Sequence, residues 1–312
     1  MTPNKVMRLS IKDWIAGRFS TRGVNRTLLG LPYLWLLLFF LAPFAFVVKI
    51  SLSEIVLAAP PYMPWFNWAE DAASWINITF ENYMFVFQDR LYLFTYWNSV
   101  KTAAISTVLV LGIGYPMAYA IARAPRDKQG LLLMLVIIPF WTSFLLRIYA
   151  LTGLLNTHGL VNKALMALGV IDDPLRMMYT DFAIYTGIVY SYLPFMILPL
   201  YATLEKLDVS LLDAASDLGA GPIRSFIDIT LPLSLPGIIA GCMLVFIPAM
   251  GEFVIPSLLG GAESPMIGRV LYEEFFINRD WPLSSAIAVV LLVLLLLPIA
   301  ILRRYQDKEM TS

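Results

Sequence analysis

Long stretches with at most one charged residue constrain this chain more than any other feature of its sequence. Each is close to the roughly 20 residues with which a helix crosses the apolar part of a bilayer. None alternates between apolar and polar residues as the strands of a membrane barrel do. The sequence therefore predicts an all-α, polytopic membrane protein with six transmembrane helices. The predicted spans are residues 28–48, 102–122, 131–155, 182–204, 231–258 and 283–302.

The composition supports a membrane protein and excludes several other classes. Hydrophobic residues make up 59% of the chain and charged residues 14%, whereas soluble domains carry about 25% charged residues. The formal net charge is zero, so the chain lacks the basic character of proteins that bind nucleic acid. Cys242 is the only cysteine, which excludes an internal disulfide and a metal site built from several thiolates.

Lysine and arginine indicate how the predicted helices are oriented, because cytoplasmic loops are enriched in both residues. The segment 1–27 and the turn 123–130 are basic, and so is the end of the chain, whereas the outer loop 49–100 is acidic. We therefore expect a cytoplasmic N-terminal segment, a transmembrane domain over 28–304 and a cytoplasmic tail over 305–312. The first span is longer than the core of a signal peptide and is interpreted as a retained anchor.

The connection 205–232 separates two apolar runs with a compact, polar stretch, LLDAASDLGAGPIRSFIDITLP at its end. Oxygen-bearing side chains cap helices, glycine ends them in a left-handed conformation, and proline favours their first turn. The pattern predicts two short helices joined by a turn. The residues expected to begin or end these helices are Asp208 or Ser210, Gly219, Pro222 and Pro232.

Two carboxylates of the first of these helices lie four residues apart. Asp213 and Asp217 share one helix face, and like charges at this spacing lower helix stability slightly. A basic partner surface would offset that cost. The alternative interpretation of this pattern is an ordinary solvated loop between two helices.

The same stretch resembles the cytoplasmic coupling signature of ABC importer permeases, E-A-A-x-x-x-G followed after nine residues by I-x-L-P. The matching residues are Asp213, Ala214, Ala215, Gly219, Ile229, Leu231 and Pro232. The chain departs from the pattern at Asp213, where the family usually has glutamate. The resemblance implies a type I ABC importer permease fold. In that fold this coupling helix seats in a groove of a cytoplasmic ABC ATPase dimer and transmits its closure to the membrane helices.

Longer stretches resemble the permeases of polyamine importers, most of all the putrescine-type subunit. They include LPYLWLLLFFLAPF, IPFWTSFLLRIYA and MLVFIPAMGEFVIPSLLGG, and the resemblance extends over residues 28–302. It implies one half of a pathway for putrescine or spermidine in a bacterial inner membrane. The implied partners are a second, paralogous permease and a periplasmic polyamine-binding protein. Permeases for ferric iron and aminophosphonates share parts of these motifs, so another small substrate stays open.

The chain lacks the residues of a catalytic site. It has no P-loop motif, so ATP and magnesium are expected on a partner ATPase and no cofactor on this chain. One histidine and one cysteine leave almost no nucleophile and base pairs. An ion-coupled secondary transporter is the rival class, but it would show inverted repeats, and no internal repeat is visible.

Two charged residues fall within predicted spans. Glu252 lies between Pro248 and Pro256, and Arg147 follows sixteen uncharged residues of the third span. Ionisable groups at membrane depth mark either a substrate path or a buried pair. Glu252 is therefore expected either to contact a passing ammonium, or to pair with Arg147 or cap a broken helix. For Arg147 a structural role is expected.

Aromatic residues near these charges are candidates for the lining of a substrate pathway, because ring faces attract organic cations. The candidates are Phe140, Trp141, Tyr190, Tyr192 and Phe195. Packing or a position in the interfacial aromatic belt is the alternative for each of them. Gly237 and Gly241 form a small-residue face that permits close helix packing, within the chain or against a second permease.

The outer loop 49–100 is rich in proline and aromatic residues. We expect it to fold into a small cap that contacts a docked binding protein. Simple packing over the helix ends is the alternative.

Overall fold

A computed structural model of the chain describes residues 30–63, 78–261 and 264–309, with no side chain described at 298 or from 301 onward. Regular structure in these ranges is helical, apart from an isolated β-bridge between Ile55 and Tyr62. The predicted all-α class is confirmed. The predicted cytoplasmic segment 1–27 and the last three residues of the predicted tail lie outside the described residues.

The helices of the described ranges are numbered here in chain order. They are α1 (Gly30–Ser51), α2 (Glu81–Gln88), α3 (Arg90–Arg123), α4 (Arg126–Ile137), α5 (Phe144–Leu155), α6 (Leu160–Ala167), α7 (Asp181–Leu204), α8 (Ser210–Asp217), α9 (Pro222–Met250), α10 (Val254–Leu258), α11 (Ile267–Tyr272) and α12 (Trp281–Glu309). Turns of π-helix occur within α1 and α9 and directly after α11.

Helices α3, α7 and α9 pack against one another and form the centre of the bundle. Their facing side chains, such as Val110, Ile188, Met196 and Val245, are fully or almost fully buried. A hydrogen bond of 2.9 Å between the hydroxyls of Tyr115 and Ser234 joins α3 to α9. Burial of these apolar side chains, together with satisfied polar groups, fixes the relative positions of the three helices.

Helix α1 packs along α12 at the side of this centre. Most of its apolar side chains are exposed, among them Leu31, Trp35 and Phe40. Lipid tails are as apolar as leucine, so an exposed apolar helix surface is stable within a bilayer. Helix α1 therefore has the position of a membrane helix at the edge of the bundle, with one side facing lipid.

Within the described ranges, four helices are long and apolar enough to cross a membrane, namely α1, α3, α7 and α9. The segments Arg126–Trp141 and Phe144–Ala167 meet this criterion only as a pair and enclose an angle of 89°. Helix α12 is apolar over the shorter stretch Trp281–Leu297. Each predicted span thus has a helical counterpart in the described ranges, and the count of six crossings stays a prediction.

The third predicted span, 131–155, is wrong as a continuous helix. Helix α4 gives way to a 3₁₀ turn over Ile138–Trp141, and Thr142 is extended before α5 begins. Pro139 lies in that turn. Proline has no N–H to donate, and its ring clashes with the preceding helical turn, which explains why the α-helix ends here.

The outer loop is shorter than predicted, because helical structure begins before residue 100. Helix α3 starts at Arg90, where the Asp89 carboxylate accepts a hydrogen bond of 2.8 Å from the Leu91 N–H. Arg90 and Lys101 interrupt the apolar pattern, so hydropathy alone places this start too late. The proline- and tryptophan-rich part, residues 64–77, lies outside the described residues.

The flanks of that loop are held against the end of α1. The Asn82 amide donates to the carbonyls of Ser51 and Ser53 at 3.0 and 2.9 Å, and the hydroxyls of Tyr83 and Ser51 lie 2.6 Å apart. This part of the loop packs over a helix end, as the alternative interpretation expects.

Pro232 does not end a helix, contrary to the prediction. Helix α9 continues through it, with a π-helical turn over Phe226–Thr230 immediately before. In that turn the Leu231 N–H donates to the Phe226 carbonyl, five residues earlier. The wider turn changes the register of the backbone hydrogen bonds before Pro232. The helix therefore accommodates this proline, which has no N–H group to donate.

The glycines of α9 contact α7 within the same chain. A Cβ atom at Gly237 would lie 2.6 Å from Thr203 Oγ1, and one at Gly241 would lie 2.6 Å from Met196 Sδ. Both distances are shorter than van der Waals contact. The small-residue face therefore serves internal packing, one of the two predicted alternatives.

We predict that Gly237→Val destabilises the protein by about 1–3 kcal/mol, because the added atoms overfill a closed contact. The matched control is Gly112→Val, since a Cβ at Gly112 would meet no atom within 4 Å. Thermal unfolding of the detergent-purified protein should show a lower midpoint for the first variant only. Equal midpoints for the two variants would contradict the packing assignment.

Candidate functional site

Two helix interruptions border one cavity. One is the extended chain between α4 and α5, and the other separates α9 from α10 at residues 251–253. Non-helical backbone at membrane depth is tolerated where it is buried in protein or borders a water-filled space. The cavity has a volume of about 460 Å³. Its lining consists of Phe140, Phe144, Arg147, Ser191, Tyr192, Phe195, Pro248, Gly251, Glu252, Phe253 and Val254.

The Glu252 carboxylate holds the second interruption together. Its Oε1 accepts hydrogen bonds from the N–H groups of Val254 at 2.9 Å and Ile255 at 3.4 Å, and its Oε2 accepts one from the Tyr192 hydroxyl. The residue is 7% exposed. The first two bonds satisfy free N–H groups at the start of α10, and the third ties the break to α7. The geometry agrees with the capping alternative.

Arg147 lies in the same cavity without an ion pair. Among the described residues, ion pairs join Arg224 to Asp228 and Arg269 to Glu273, and none joins Arg147 to Glu252. The Arg147 side chain is 8% exposed, and its buried Nε and Nη1 atoms donate to no atom of the described part of the chain. The pairing alternative therefore has no geometric support.

Aromatic rings surround the guanidinium group. The Arg147 Cζ atom lies 4.4 Å from the ring centroid of Phe140 and 5.7 Å from that of Phe144. Phe195 packs edge-on against Phe140 at 5.4 Å and lies 6.0 Å from Tyr192. These rings and the carboxylate form an environment that attracts organic cations.

The cavity assembles some of the predicted pathway residues and not others. Tyr192, Phe195 and Glu252 lie in its wall, together with Arg147. Tyr190 instead borders a neighbouring apolar cavity of about 430 Å³. The Trp141 side chain is 75% exposed and borders neither cavity. For these two residues the structure provides no link to the polar cavity.

Phe144, Ser191 and Phe253 line the cavity but were not among the residues singled out from the sequence. Phe144 lies three residues before Arg147, a helical spacing that would have indicated a face of α5 shared with this charged residue. Ser191, whose buried hydroxyl has no partner among the described residues, and Phe253 carry no comparable signal, because only the folded break brings them to the cavity.

The connection after α7 has the predicted turn at Gly219 and the predicted helix start at Pro222. The Asp208 carboxylate accepts a hydrogen bond of 2.9 Å from the Ser210 N–H, which lowers the pKa of Asp208. Gly219 has a φ of 82°, and the Ala220 N–H donates to the Ala215 carbonyl at 2.9 Å. Helix α8 thus ends in a left-handed glycine, and α9 begins at Pro222.

The outer surface of this connection carries exposed apolar side chains. Leu218 is 89% exposed and Ile223 is 76% exposed. The coupling-signature residues Asp213, Ala214 and Gly219 are exposed as well, whereas Ala215 and Ile229 are partly buried. Contiguous exposed apolar residues in a polar setting are typical of an interaction surface.

The inner side of the connection is anchored to the bundle. The Phe226 ring packs edge-on against Tyr115 at 5.6 Å and Tyr119 at 6.0 Å on α3. The Tyr201 hydroxyl of α7 donates to Gln129 Oε1 at 3.1 Å, and Gln129 Nε2 donates to the Ala124 carbonyl at 2.9 Å. The connection is therefore held against α3, and α7 is joined to α4 beside it.

Comparison with known proteins identifies relatives that match most of the chain. Residues 112–312 match the sequence model of a family described as binding-protein-dependent transport system inner membrane component. The chain is 46% identical over 227 residues to the spermidine/putrescine transport system permease protein PotB of Haemophilus influenzae, covering 73% of this chain and 79% of that protein. PotB of Escherichia coli is also 46% identical over 227 residues, covering 72% of this chain and 82% of that protein.

A further curated protein and a solved structure are similar to this chain at lower identity. The inner membrane ABC transporter permease protein YdcU of Escherichia coli is 33% identical over 221 residues, covering 66% of this chain and 70% of that protein. A chain of the crystal structure of a bacterial ABC transporter involved in alginate import superposes with a TM-score of 0.64 at 17% identity, covering 94% of this chain and 96% of that chain. The chain therefore belongs to the family of binding-protein-dependent transport system inner membrane components and has the fold of an ABC importer permease.

Proposed function

We propose that this chain is the permease subunit of an ATP-driven importer and forms half of the translocation pathway for a polyamine, putrescine or spermidine. The observation that carries the proposal is the cavity in which the Glu252 carboxylate lies among aromatic rings. The 46% identity to proteins named spermidine/putrescine permeases supports the same substrate class.

The chemistry of the cavity suits an alkylammonium group. Glu252 supplies the negative charge, and the Ser191 hydroxyl, buried and without a partner among the described residues, supplies a further hydrogen-bond acceptor. The rings of Phe195 and Tyr192 cover methylene groups and attract the cation. Because Glu252 is fixed by three donors, its charge keeps one position while a substrate passes.

The remaining subunits follow from the surface of the 205–232 connection. We define the docking surface as Val209, Leu211, Leu218, Ile223 and Ile227, all exposed. In the proposed complex this surface seats on a cytoplasmic ABC ATPase dimer that binds ATP and magnesium. A second, paralogous permease completes the pathway, and a periplasmic binding protein delivers the polyamine. Six crossings then leave both termini in the cytoplasm, in agreement with the basic turn 123–130.

A second candidate function is the import of a small anion or aminophosphonate. Arg147 favours it, because its buried N–H donors have no acceptor among the described residues and guanidinium groups bind phosphonates and carboxylates well. The same uptake experiment separates the two candidates.

The test of the proposed function uses proteoliposomes that contain the complete complex and its binding protein. Uptake of labelled putrescine, spermidine, an aminophosphonate and ferric iron should be measured with and without internal ATP. We expect ATP-dependent accumulation of a polyamine only. Accumulation of the phosphonate alone would support the second candidate. Gradient-driven uptake by the isolated chain would contradict an ATP-driven importer.

We predict that Glu252→Gln slows polyamine uptake by roughly ten- to a hundredfold, which corresponds to about 1–3 kcal/mol of lost attraction. The amide oxygen can still accept from Val254 and Ile255, so the unfolding midpoint should stay close to that of the unchanged protein. The control is Glu273→Gln, which neutralises a half-exposed carboxylate outside the cavity. A large loss of stability with Glu252→Gln would show that the carboxylate is structural only.

We predict that Gly219→Val uncouples ATP hydrolysis from uptake. The φ of 82° at Gly219 is costly for a β-branched residue, so the turn of the docking surface should distort. Uptake should fall at least about tenfold, while the binding protein keeps its affinity. The matched control is Gly221→Val, because Gly221 has an ordinary φ of −71° and open space at its Cβ position. Normal coupling in Gly219→Val would refute the docking assignment.

A further inference from the structure

The guanidinium group of Arg147 packs against the aromatic rings of the cavity in the way that a bound organic cation would. Its Cζ atom is 4.4 Å from the centroid of the Phe140 ring, and a second ring, Phe144, lies 5.7 Å away. The side chain is more than nine-tenths buried, and two of its nitrogens are buried and donate to no atom of the described residues. Ring contacts, and not hydrogen bonds or an ion pair, hold these nitrogens at the aromatic wall.

We propose that Arg147 is a specificity-determining residue that competes, as a cation tethered to the wall, with the ammonium group of the substrate for the Phe140 and Phe144 rings. The proposal rests on the proposed function and adds a role for a residue that polyamine chemistry alone does not explain. Two cations cannot share one ring face, because unit charges a few ångströms apart repel each other strongly in a poorly hydrated site.

The absence of strong partners makes this competition feasible. Displacing a paired arginine would leave a buried carboxylate unsatisfied, at considerable cost. Arg147 forms no ion pair with any residue that the structure describes, and the nearby carboxylate of Glu252 is already bonded to Tyr192, Val254 and Ile255. Moving the guanidinium away from the rings therefore breaks mainly its cation–π contacts, which an incoming ammonium forms anew.

Two properties of transport follow from a tethered competitor. In the absence of substrate, a fixed positive charge lies in the pathway and opposes the entry of small inorganic cations, as arginine does in other selective pores. When a polyamine has entered, the returning guanidinium shortens its stay. The permease thus holds its substrate weakly, which favours passage over retention.

The experiment measures equilibrium binding of labelled putrescine and spermidine to the purified permease and ATPase complex without its binding protein. Arg147→Gln and Arg147→Met remove the competing cation and should each bind polyamine at least about tenfold more tightly than the unchanged complex. Arg147→Lys keeps a cation and should bind as weakly as the unchanged complex. Uptake by the first two variants should reach its maximum at lower substrate concentration but at a reduced maximal rate.

The matched control is Arg123→Gln. The Arg123 guanidinium also lies over a ring, 5.5 Å from the centroid of Tyr119, but it is not part of the cavity. Its removal changes the net charge equally and should leave polyamine binding unchanged. An equal gain of affinity in this control would show a general charge effect and overturn the proposal.

Unchanged or weaker binding by Arg147→Gln and Arg147→Met would overturn the proposal, and so would failure of both variants to assemble, since that would demonstrate a structural role. Wild-type uptake in proteoliposomes tests the proposed function separately. If the unchanged complex imports polyamines while the variants gain no affinity, only the competitor role fails. If no polyamine is imported, the proposed function fails and the competitor role fails with it.

Discussion

The structure depends on one side-chain oxygen that replaces hydrogen bonds lost at a helix break. Backbone N–H groups at membrane depth have no bulk water to bond with, so an interrupted helix needs an internal acceptor. Glu252 supplies it by accepting from the N–H groups of Val254 and Ile255. The same side chain carries the charge that the proposed function requires, so the helix cap and the substrate attraction belong to a single residue.

The packing around the break explains why it has one defined geometry. A Cβ at Gly268 would lie 2.3 Å from the Gly251 carbonyl oxygen, so the start of α11 rests directly on the interrupted backbone. A Cβ at Gly187 would lie 2.7 Å from Leu259 Cδ1, so α7 also packs closely against the chain directly after α10. Because neither contact has room for a side chain, the cavity wall is fixed from two sides.

The sequence predicts the features that local chemistry determines. The turn at Gly219 and the helix start at Pro222 are predicted correctly. Glycine readily adopts a positive φ and proline has no N–H group, and both properties belong to the residue itself. The bend after α4 was missed because 131–155 is apolar on both sides of Pro139. Hydropathy does not indicate whether an apolar segment is straight or bent. The absence of an Arg147–Glu252 pair could not be predicted either, since it depends on how α5 and α10 lie around the cavity. Phe253 and Ser191 reach the site only through that tertiary arrangement.

The continuity of α9 connects the proposed docking surface with the cavity. The helix spans 29 residues from Pro222 to Met250, roughly 43 Å at 1.5 Å per residue. A helix ended by Pro232 would have placed a flexible joint between the two sites. The π-helical turn at Phe226–Thr230 avoids that joint, and the ring of Phe226 fixes the start of the helix to α3. The proposed docking surface and Gly251, one residue before the carboxylate that borders the cavity, therefore lie near the two ends of one continuous helix.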